Sequence, residues 1–490
     1  MKKRFIFAVR VIIFLFITCL VVTAVNYIIT PKKYFEDQWP TTTTFKGFYK
    51  MERNTVDVFF IGSSHAAASF NPQVIYDKYG IKSYNLSSEQ QNLVVSYYWL
   101  KEALGYQKPE AVVLDTYMLF TFDPSEPLNT SDSFTRMAMD AMRWNSVKWE
   151  AINDICRLDE SQTINSYIFR NVRFHDRWKE LNENDFEFIS LENHYELKGF
   201  SALGKRGLAG SEHEPILVTD PESVSEPEAL MMQYLDKIVT LCKDNEISLI
   251  LTKTPCSAWD EFKHNTVAQY AAENNLEFVD FNEYIAYEGS KFNWAKDMNE
   301  EWHTNIWGAK KISNYMAKLL NNDYAVEGAH YDPQWESTKD YYQQVLADCK
   351  ISNTKKLGKY LEQIDNPRYT VLVAVQSDMS FCMSDEVKDA FGKIGFELTD
   401  EENYGYYGVK NDGKVTQDFG KNTLHYVGSA RNNLVDYEVV SKGYYAGNTC
   451  SIKIDDVEYA IKGNGINIVV YNNDTRKVID SVVYDGSINR

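Results

Sequence analysis

The sequence predicts an α/β domain whose parallel sheet is flanked by helices. It also predicts a C-terminal strand-rich, β-sandwich-like module and one N-terminal transmembrane helix. Three observations predict this. Between Val56 and Asp280, short and nearly continuous apolar runs alternate with helical patterns, and such alternation implies a parallel sheet with right-handed crossovers. From Tyr369 onward, apolar runs follow one another with turn-forming residues between them and a single helical stretch. Val11 to Ile29 is apolar apart from Thr18, Thr23 and Asn26.

The N-terminal run is a membrane segment by length and flank. Nineteen residues at ~1.5 Å each span about 28 Å, close to a bilayer core of ~30 Å. Lys2, Lys3, Arg4 and Arg10 precede it, and a positive flank stays cytoplasmic, which puts the remaining chain outside the cell. Val22-Thr23-Ala24 offers a signal-peptide cleavage site, but the apolar run exceeds a signal core, so an uncleaved anchor over 11–29 is expected after a cytoplasmic tail over 1–10. No later segment is long and apolar enough to span.

Residues 30–55, with Pro31-Lys32-Lys33 and a threonine run at 41–44, read as a juxtamembrane linker. Val56–Ile61 ends in Gly62, Ala111–Leu114 in Asp115, Ile247–Leu251 in Thr252-Lys253-Thr254-Pro255, and Leu276–Asp280 forms a fourth run. Runs of this kind suit strands buried on both faces. Glu228–Asn245 and His264–Asn275 have helical patterns. Residues 120–215, polar and aromatic, read as an insertion that acts as a lid or a partner-binding cap. Residues 326–365, polar and partly helical, read as a second linker, and Asn366-Pro367 opens the second domain, 366–490. There Tyr369–Val375 is a strand, Asp385–Ile394 a helix capped by Gly395, and Ile466–Tyr471 with Lys477–Tyr484 a hairpin turned by Asn472-Asn473-Asp474.

Composition narrows the function classes. The chain of 490 residues carries 51 Lys and Arg against 69 Asp and Glu, a net charge of −18; so acidic a surface repels phosphate backbones and excludes general nucleic-acid binding. Its 44% hydrophobic and 24% charged residues exclude a disordered chain and a polytopic membrane protein. Thirty-three Tyr and 10 Trp serve either large cores or surfaces that face sugars and partners. The seven Cys show no metal-ligand spacing, so no zinc site is expected; Cys382 with Cys450 is the one disulfide pairing considered.

The candidate chemistry sits at the two ends of the α/β domain. The first strand runs into Gly62-Ser63-Ser64-His65, and a serine at the end of a buried strand stands where α/β enzymes place nucleophiles. Its own N–H, opening the next helix, can help hold an oxyanion. Ala66 breaks the G-x-S-x-G elbow of α/β-hydrolases, and a serine here can equally be only a helix cap. Far downstream, Asp297-Met298-Asn299-Glu300-Glu301-Trp302-His303-Thr304-Asn305-Ile306-Trp307-Gly308-Ala309 sets acids three and six residues before a histidine. Such an acid can orient an imidazole that accepts the serine proton. The competing reading makes His303 a cap of the helix near Gly308 and Glu300 and Glu301 a solvated loop.

Strand–G-x-S at one end, acid-x-x-His-x-Asn-x-x-Gly-Ala at the other and Tyr84-Asn85-Leu86-Ser87-Ser88 between them resemble the SGNH/GDSL hydrolase superfamily, within it the membrane-anchored DltD and alginate-acetylation branch. The resemblance covers roughly residues 56–322. It implies Ser64 as nucleophile and His303 as base, with Glu300 in the usual place of the acid and Asp297 as the alternative. It implies an oxyanion hole built from the N–H of Ser64 and that of Ser87 or Ser88. Two positions depart from the family: Ser87 stands where a glycine is usual, and Asp115-Thr116 offers no asparagine donor, whose absence typically costs ~10²–10³ in rate.

Tyr369–Val375, Ser441-Lys442-Gly443-Tyr444-Tyr445-Ala446-Gly447-Asn448 and Gly465–Tyr471 through Asp480–Asp485 resemble the ILEI/PANDER domain, also called the GG-type lectin domain. That resemblance implies an interaction module, sometimes for carbohydrate, with Tyr404, Tyr406, Tyr407, Tyr444 and Tyr445 as candidates to stack on sugar faces; ordinary strand packing is the alternative. The expected function is an extracytoplasmic, membrane-anchored serine esterase or O-acyltransferase acting on a cell-surface polysaccharide or teichoic-acid-like polymer. The expected partners are the bilayer, that glycan and, through the resemblance, a membrane-bound O-acyltransferase. The rival is a non-catalytic adaptor with a degenerate SGNH domain that binds glycan or protein. No metal or organic cofactor is implied.

Overall fold

The computed structural model describes residues 2–31, 39–181, 183–186, 195–207, 213–328, 331–377, 379–399, 401–431 and 434–490. Part of the expected juxtamembrane linker, including Lys32-Lys33, and parts of the expected insertion lie outside these residues. The chain forms two compact units, Met1–Tyr342 and Gln343–Arg490.

The first unit is built on a parallel sheet of five strands, β1 Val58–Gly62, β2 Ser83–Ser87, β3 Ala111–Asp115, β4 Ser248–Lys253 and β5 Glu277–Asp280, in the order β2-β1-β3-β4-β5. Period-two alternation divides the strands between two cores. Phe59, Ile61, Val112, Leu114, Leu249 and Leu251 face one helical layer; Val58, Phe60, Ala111, Val113 and Ile250 face the other. The chain leaves β1 toward β2 and then returns to the far side for β3. The carboxyl ends of β1 and β3 therefore flank the point where the winding reverses, the crevice in which open α/β sheets bind ligands.

Two segments expected as linkers are structured. Thr41–Phe48 is a helix whose Phe45 and Phe48 are fully buried, with Phe45 stacked on Trp99 at 4.0 Å. Its threonines favour strand or loop by propensity, and burial of the two phenylalanines, one turn apart, overrides that preference. Within 326–365 lie the helices Pro333–Ile351 and Leu357–Ile364. Trp335 stacks on Tyr76 in the first unit, whereas Ile351, Tyr360, Leu361 and Ile364 belong to the core of the second. The insertion also contributes core: the helices Asp132–Ala141, Ser146–Leu158 and Ile164–Ile168 bury Ala138, Met139, Ala151, Ile152, Ile155 and Tyr167 with the sheet.

The second unit is one curled sheet of ten strands: β6 Tyr369–Ser377, β7 Gly405–Asn411, β8 Lys414–Gly420, β9 Leu424–Ala430, β10 Val435–Gly443, β11 Thr449–Ile454, β12 Val457–Glu458, β13 Gly465–Asn472, β14 Lys477–Tyr484 and β15 Ile488–Asn489. β13 and β14 form the hairpin expected from the asparagine-rich turn. Both faces of its central strands are covered. Val371, Val373 and Val375 pack with the helix Asp385–Lys393 on one side, and Leu372, Ala374 and Val469 pack with Tyr437 and Ile452 on the other. Cys382 and Cys450 lie in these opposite cores, and all seven cysteines are free, so the considered pairing does not form.

Asp348, on the helix Pro333–Ile351, accepts hydrogen bonds from Tyr369 Oη and Asn472 Nδ2 at the strand ends. A fragment starting at Asn366 loses this carboxylate and four large core side chains, each worth ~2–5 kcal/mol. It should melt far below a fragment that starts at Pro333, as thermal unfolding by circular dichroism will show.

The helix Lys2–Ile29 is long and apolar enough to cross a membrane.

Candidate active site

Ser64 stands two residues beyond the end of β1 and opens the short helix Ser64–Ser69, with Ser63 as N-cap. Gly62 is required at the strand end: a Cβ there would meet the Asp115 Cβ at 2.8 Å and the Ala66 Cβ at 3.1 Å. The first N–H groups of a helix have no acceptor inside it, so the Ser64 N–H is unspent by the helix. The hydroxyl Oγ of Ser64 lies 2.9 Å from His303 Nε2. The other ring nitrogen, Nδ1, lies 2.5 Å from Glu300 Oε1. Hydroxyl, imidazole and carboxylate thus form one line of hydrogen bonds, with Nδ1–H donating to the carboxylate and Nε2 left to accept from the serine.

The residues that follow His303 hold it in place. Thr304 Oγ1 donates to Ala68 O at 2.9 Å and lies 3.0 Å from Ser69 Oγ, which ties the histidine loop to the serine helix. Asn305 caps the helix Ile306–Asn322 by accepting from Trp307 N and Gly308 N, and its amide donates to Lys296 O and Met298 O. A Cβ at residue 308 would meet Asp297 O at 2.2 Å, so only glycine lets this helix start against the acid-bearing turn. The spacing His-x-Asn-x-x-Gly is therefore a mechanical device for presenting the imidazole.

Asp297 does not orient the histidine. Its buried Oδ2 accepts from Lys311 Nζ at 2.5 Å and from Asn293 N at 2.7 Å. The alternative acid thus braces the turn before the helix, and the orienting place is taken by Glu300. Ser87 ends β2 in register with Gly62 of β1, and its buried Oγ has no hydrogen-bond partner among the described residues. The Ser88 hydroxyl donates to Gln91 Oε1, which commits that side chain to its own turn. Asn85 of the same motif donates to Ala66 O and Phe70 O, so it positions the serine helix from β2.

Sequence reasoning missed two walls of the site. The Trp39 ring lies 4.7 Å from that of His303; the linker reading had hidden it. His65 is buried, with its ring 4.9 Å from that of His303 and 3.8 Å from that of Tyr117. Burial, with Lys253 and His303 adding, holds its pKa well below the ordinary histidine value, so it stays neutral beside the catalytic candidate. Asp115, at the end of β3, accepts from Tyr117 N and Thr254 N, and burial raises its pKa. An irregular segment of the insertion, Lys198–Lys205, stitches the parts together: Ser201 N donates to Ala67 O, Ile306 N to Leu203 O, and Lys205 N to Asn299 Oδ1.

The His65 pKa has a pH consequence. Folding depresses it, so below about pH 6.5 the unfolded chain binds a proton that the folded chain refuses; stability is fully present above that pH and is lost as pH falls. His65→Asn should flatten the fall in melting temperature between about pH 6.5 and 5 relative to the parent protein.

Among the described residues, no group of three His, Cys, Asp or Glu side chains converges as a metal site. In the second unit, Tyr406 is fully buried and donates to Gln417 Oε1, and Tyr407 is buried and stacked on Tyr426. Neither can meet a sugar. Tyr404 and Tyr445 instead line a shallow cavity of about 370 Å³ with Glu401, Glu402, Asn403 and Lys421, and Tyr444 stands exposed beside Tyr445. No family model matches the chain, and no curated protein matches it.

Proposed function

We propose that this protein is a membrane-anchored serine esterase or O-acyltransferase of SGNH type that works on an acyl ester of a cell-surface glycan. The observation that carries the reading is the hydrogen-bonded line from Ser64 through His303 to Glu300. In the first step Ser64 Oγ attacks the acyl carbonyl while His303 Nε2 takes the hydroxyl proton. The tetrahedral oxyanion draws on the Ser64 N–H and on the sheet edge at Ser87 and Ser88. Collapse breaks the ester bond, and His303 returns the proton to the departing alcohol. A second hydroxyl then loses its proton to His303, attacks the acyl-serine and restores Ser64. Water as that hydroxyl gives an esterase, a sugar hydroxyl an acyltransferase. Glu300 holds Nδ1–H and offsets the imidazolium charge in both steps.

In this reading the helix Lys2–Ile29 anchors the chain with both units outside the cell, in line with the positive N-terminal flank. The Tyr404 and Tyr445 cavity and Tyr444 hold the polymer, which raises its effective concentration at Ser64. A membrane-bound O-acyltransferase would supply or receive the acyl group. The test is to treat the full chain with a fluorophosphonate probe and locate the adduct by mass spectrometry. Labelling at Ser64, blocked by His303→Ala, supports the enzyme; an unlabelled folded protein that still binds glycan makes it the adaptor.

A further inference from the structure

The last turns of the helix Lys2–Ile29 are held by a segment more than a hundred residues away. Asn171 N donates to Asn26 Oδ1 at 3.1 Å, and Arg177 Nη1 donates to Ile29 O at 2.5 Å. Ala24, Asn26, Ile28 and Ile29 are half-buried there, whereas the helix before them is exposed. The holding segment comprises the short helix Asn171–Phe174 and the 3₁₀ turn His175–Lys179. Arg173 clamps it to the first unit through a two-oxygen contact with Asp140 and a bond to Ser166 O. Arg177 adds a bond to Asp185.

This clamped segment presents apolar side chains outward. Ile168, Phe169, Val172 and Trp178 are between 39% and 64% exposed. Val172 adjoins Asn171 and Trp178 adjoins Arg177, so these side chains stand beside the last turn of the membrane-length helix. Arg170 and Arg173 pair with Asp140, Arg177 with Asp185 and Lys179 with Asp176, four cations against three acids, a local positive excess in a chain whose net charge is −18. Exposed Trp and Phe interleaved with Arg and Lys at a helix exit match the chemistry of the bilayer interface, where one end of the side chain is apolar and the other wet.

We propose that residues 168–179 form a collar that rests in the headgroup layer around the exit of the helix Lys2–Ile29. The inference rests on the anchor reading above. It gives the first unit a fixed stance on the bilayer in place of a swivel at one helix. Trp39 follows Ile29 by ten residues, a reach of at most roughly 36 Å, and its ring lies against His303. The catalytic line is therefore held within about that distance of the lipid surface, which favours membrane-linked acyl donors or polymers as its substrates.

The experiment uses the purified full chain in vesicles of phosphatidylethanolamine and phosphatidylglycerol. A photoreactive residue is placed at Val172, at Trp178 or, as control, at exposed Glu246 in the loop before β4. Illumination should attach lipid at 172 and 178 and not at 246, and an alkaline carbonate wash should leave the protein in the vesicles. Retention without lipid adducts at 172 and 178, or adducts there to a second copy of the chain, overturns the collar while the anchor stands. Equal lipid labelling at 246 also overturns it. Release by carbonate overturns the anchor, and adducts formed before the wash then decide the collar by themselves.

Discussion

Ser64→Ala and His303→Ala should each lower turnover of a small acyl ester by ~10³-fold or more, with KM little changed. Ser64 Oγ contacts His303 Nε2 at 2.9 Å, and in the proposed mechanism the two act as one unit: without the hydroxyl there is no nucleophile, and without the imidazole there is no acceptor for its proton. The double variant should be little worse than either single one, because members of a cooperating set are grossly non-additive. The melting temperature should barely move. Alanine at 64 only removes a hydroxyl and keeps the helix Ser64–Ser69, and the loop that carries His303 is pinned by Thr304 and Asn305 instead of by the imidazole. Undiminished turnover in either variant would show that the ester is not cleaved through this pair and would leave the adaptor as the reading of the Ser64 site. Losses that multiply in the double variant would show two independent contributions and no shared proton path.

The legibility of this molecule follows from how local each signal is. β1, β3 and β4 announce themselves because strands buried on both faces are almost continuously apolar. β2, Ser83-Tyr84-Asn85-Leu86-Ser87, hides because its polar residues are used: Asn85 is spent on the serine helix. The end motifs were readable because a strand end and a capped helix start fix Ser64 and His303 from nearby residues alone. Trp39 and His65 carry no local mark; their place depends on packing across the fold. The pair Tyr406 and Tyr407 shows the same limit. Neighbours on a strand point to opposite faces, so one of them should face solvent on a half-exposed sheet. Their strand is covered on both sides, and both are lost to the core. Lys311 lies fourteen residues after Asp297, and no spacing rule announces that it captures that carboxylate.

Glu300→Gln and Asp297→Asn should therefore fail in different currencies. In Glu300→Gln the imidazole keeps a neighbour at Nδ1 but loses the charge that holds its tautomer and stabilises the imidazolium. Removing an orienting carboxylate in a serine–histidine–acid set costs up to ~10⁴ in kcat, so a fall of ~10²–10⁴ with nearly constant KM and melting temperature is expected. Glu300 Oε1 is 2.5 Å from the ring and Oε2 has no partner among the described residues, so the amide gains no described bond that offsets the loss. Asp297→Asn leaves the line from Ser64 through His303 to Glu300 intact. It removes the charge that Lys311 Nζ meets at 2.5 Å and weakens the bond from Asn293 N, a loss of order 1–3 kcal/mol in a buried, charged hydrogen bond. The turn against Gly308 should loosen, the melting temperature should fall, and turnover measured well below that temperature should stay within about tenfold of the parent protein. Measured together, kcat and melting temperature separate the two roles. A variant set in which Asp297→Asn silences the enzyme at unchanged stability, while Glu300→Gln does not, would move the orienting acid to Asp297. That would mean that the histidine turn rearranges when substrate binds.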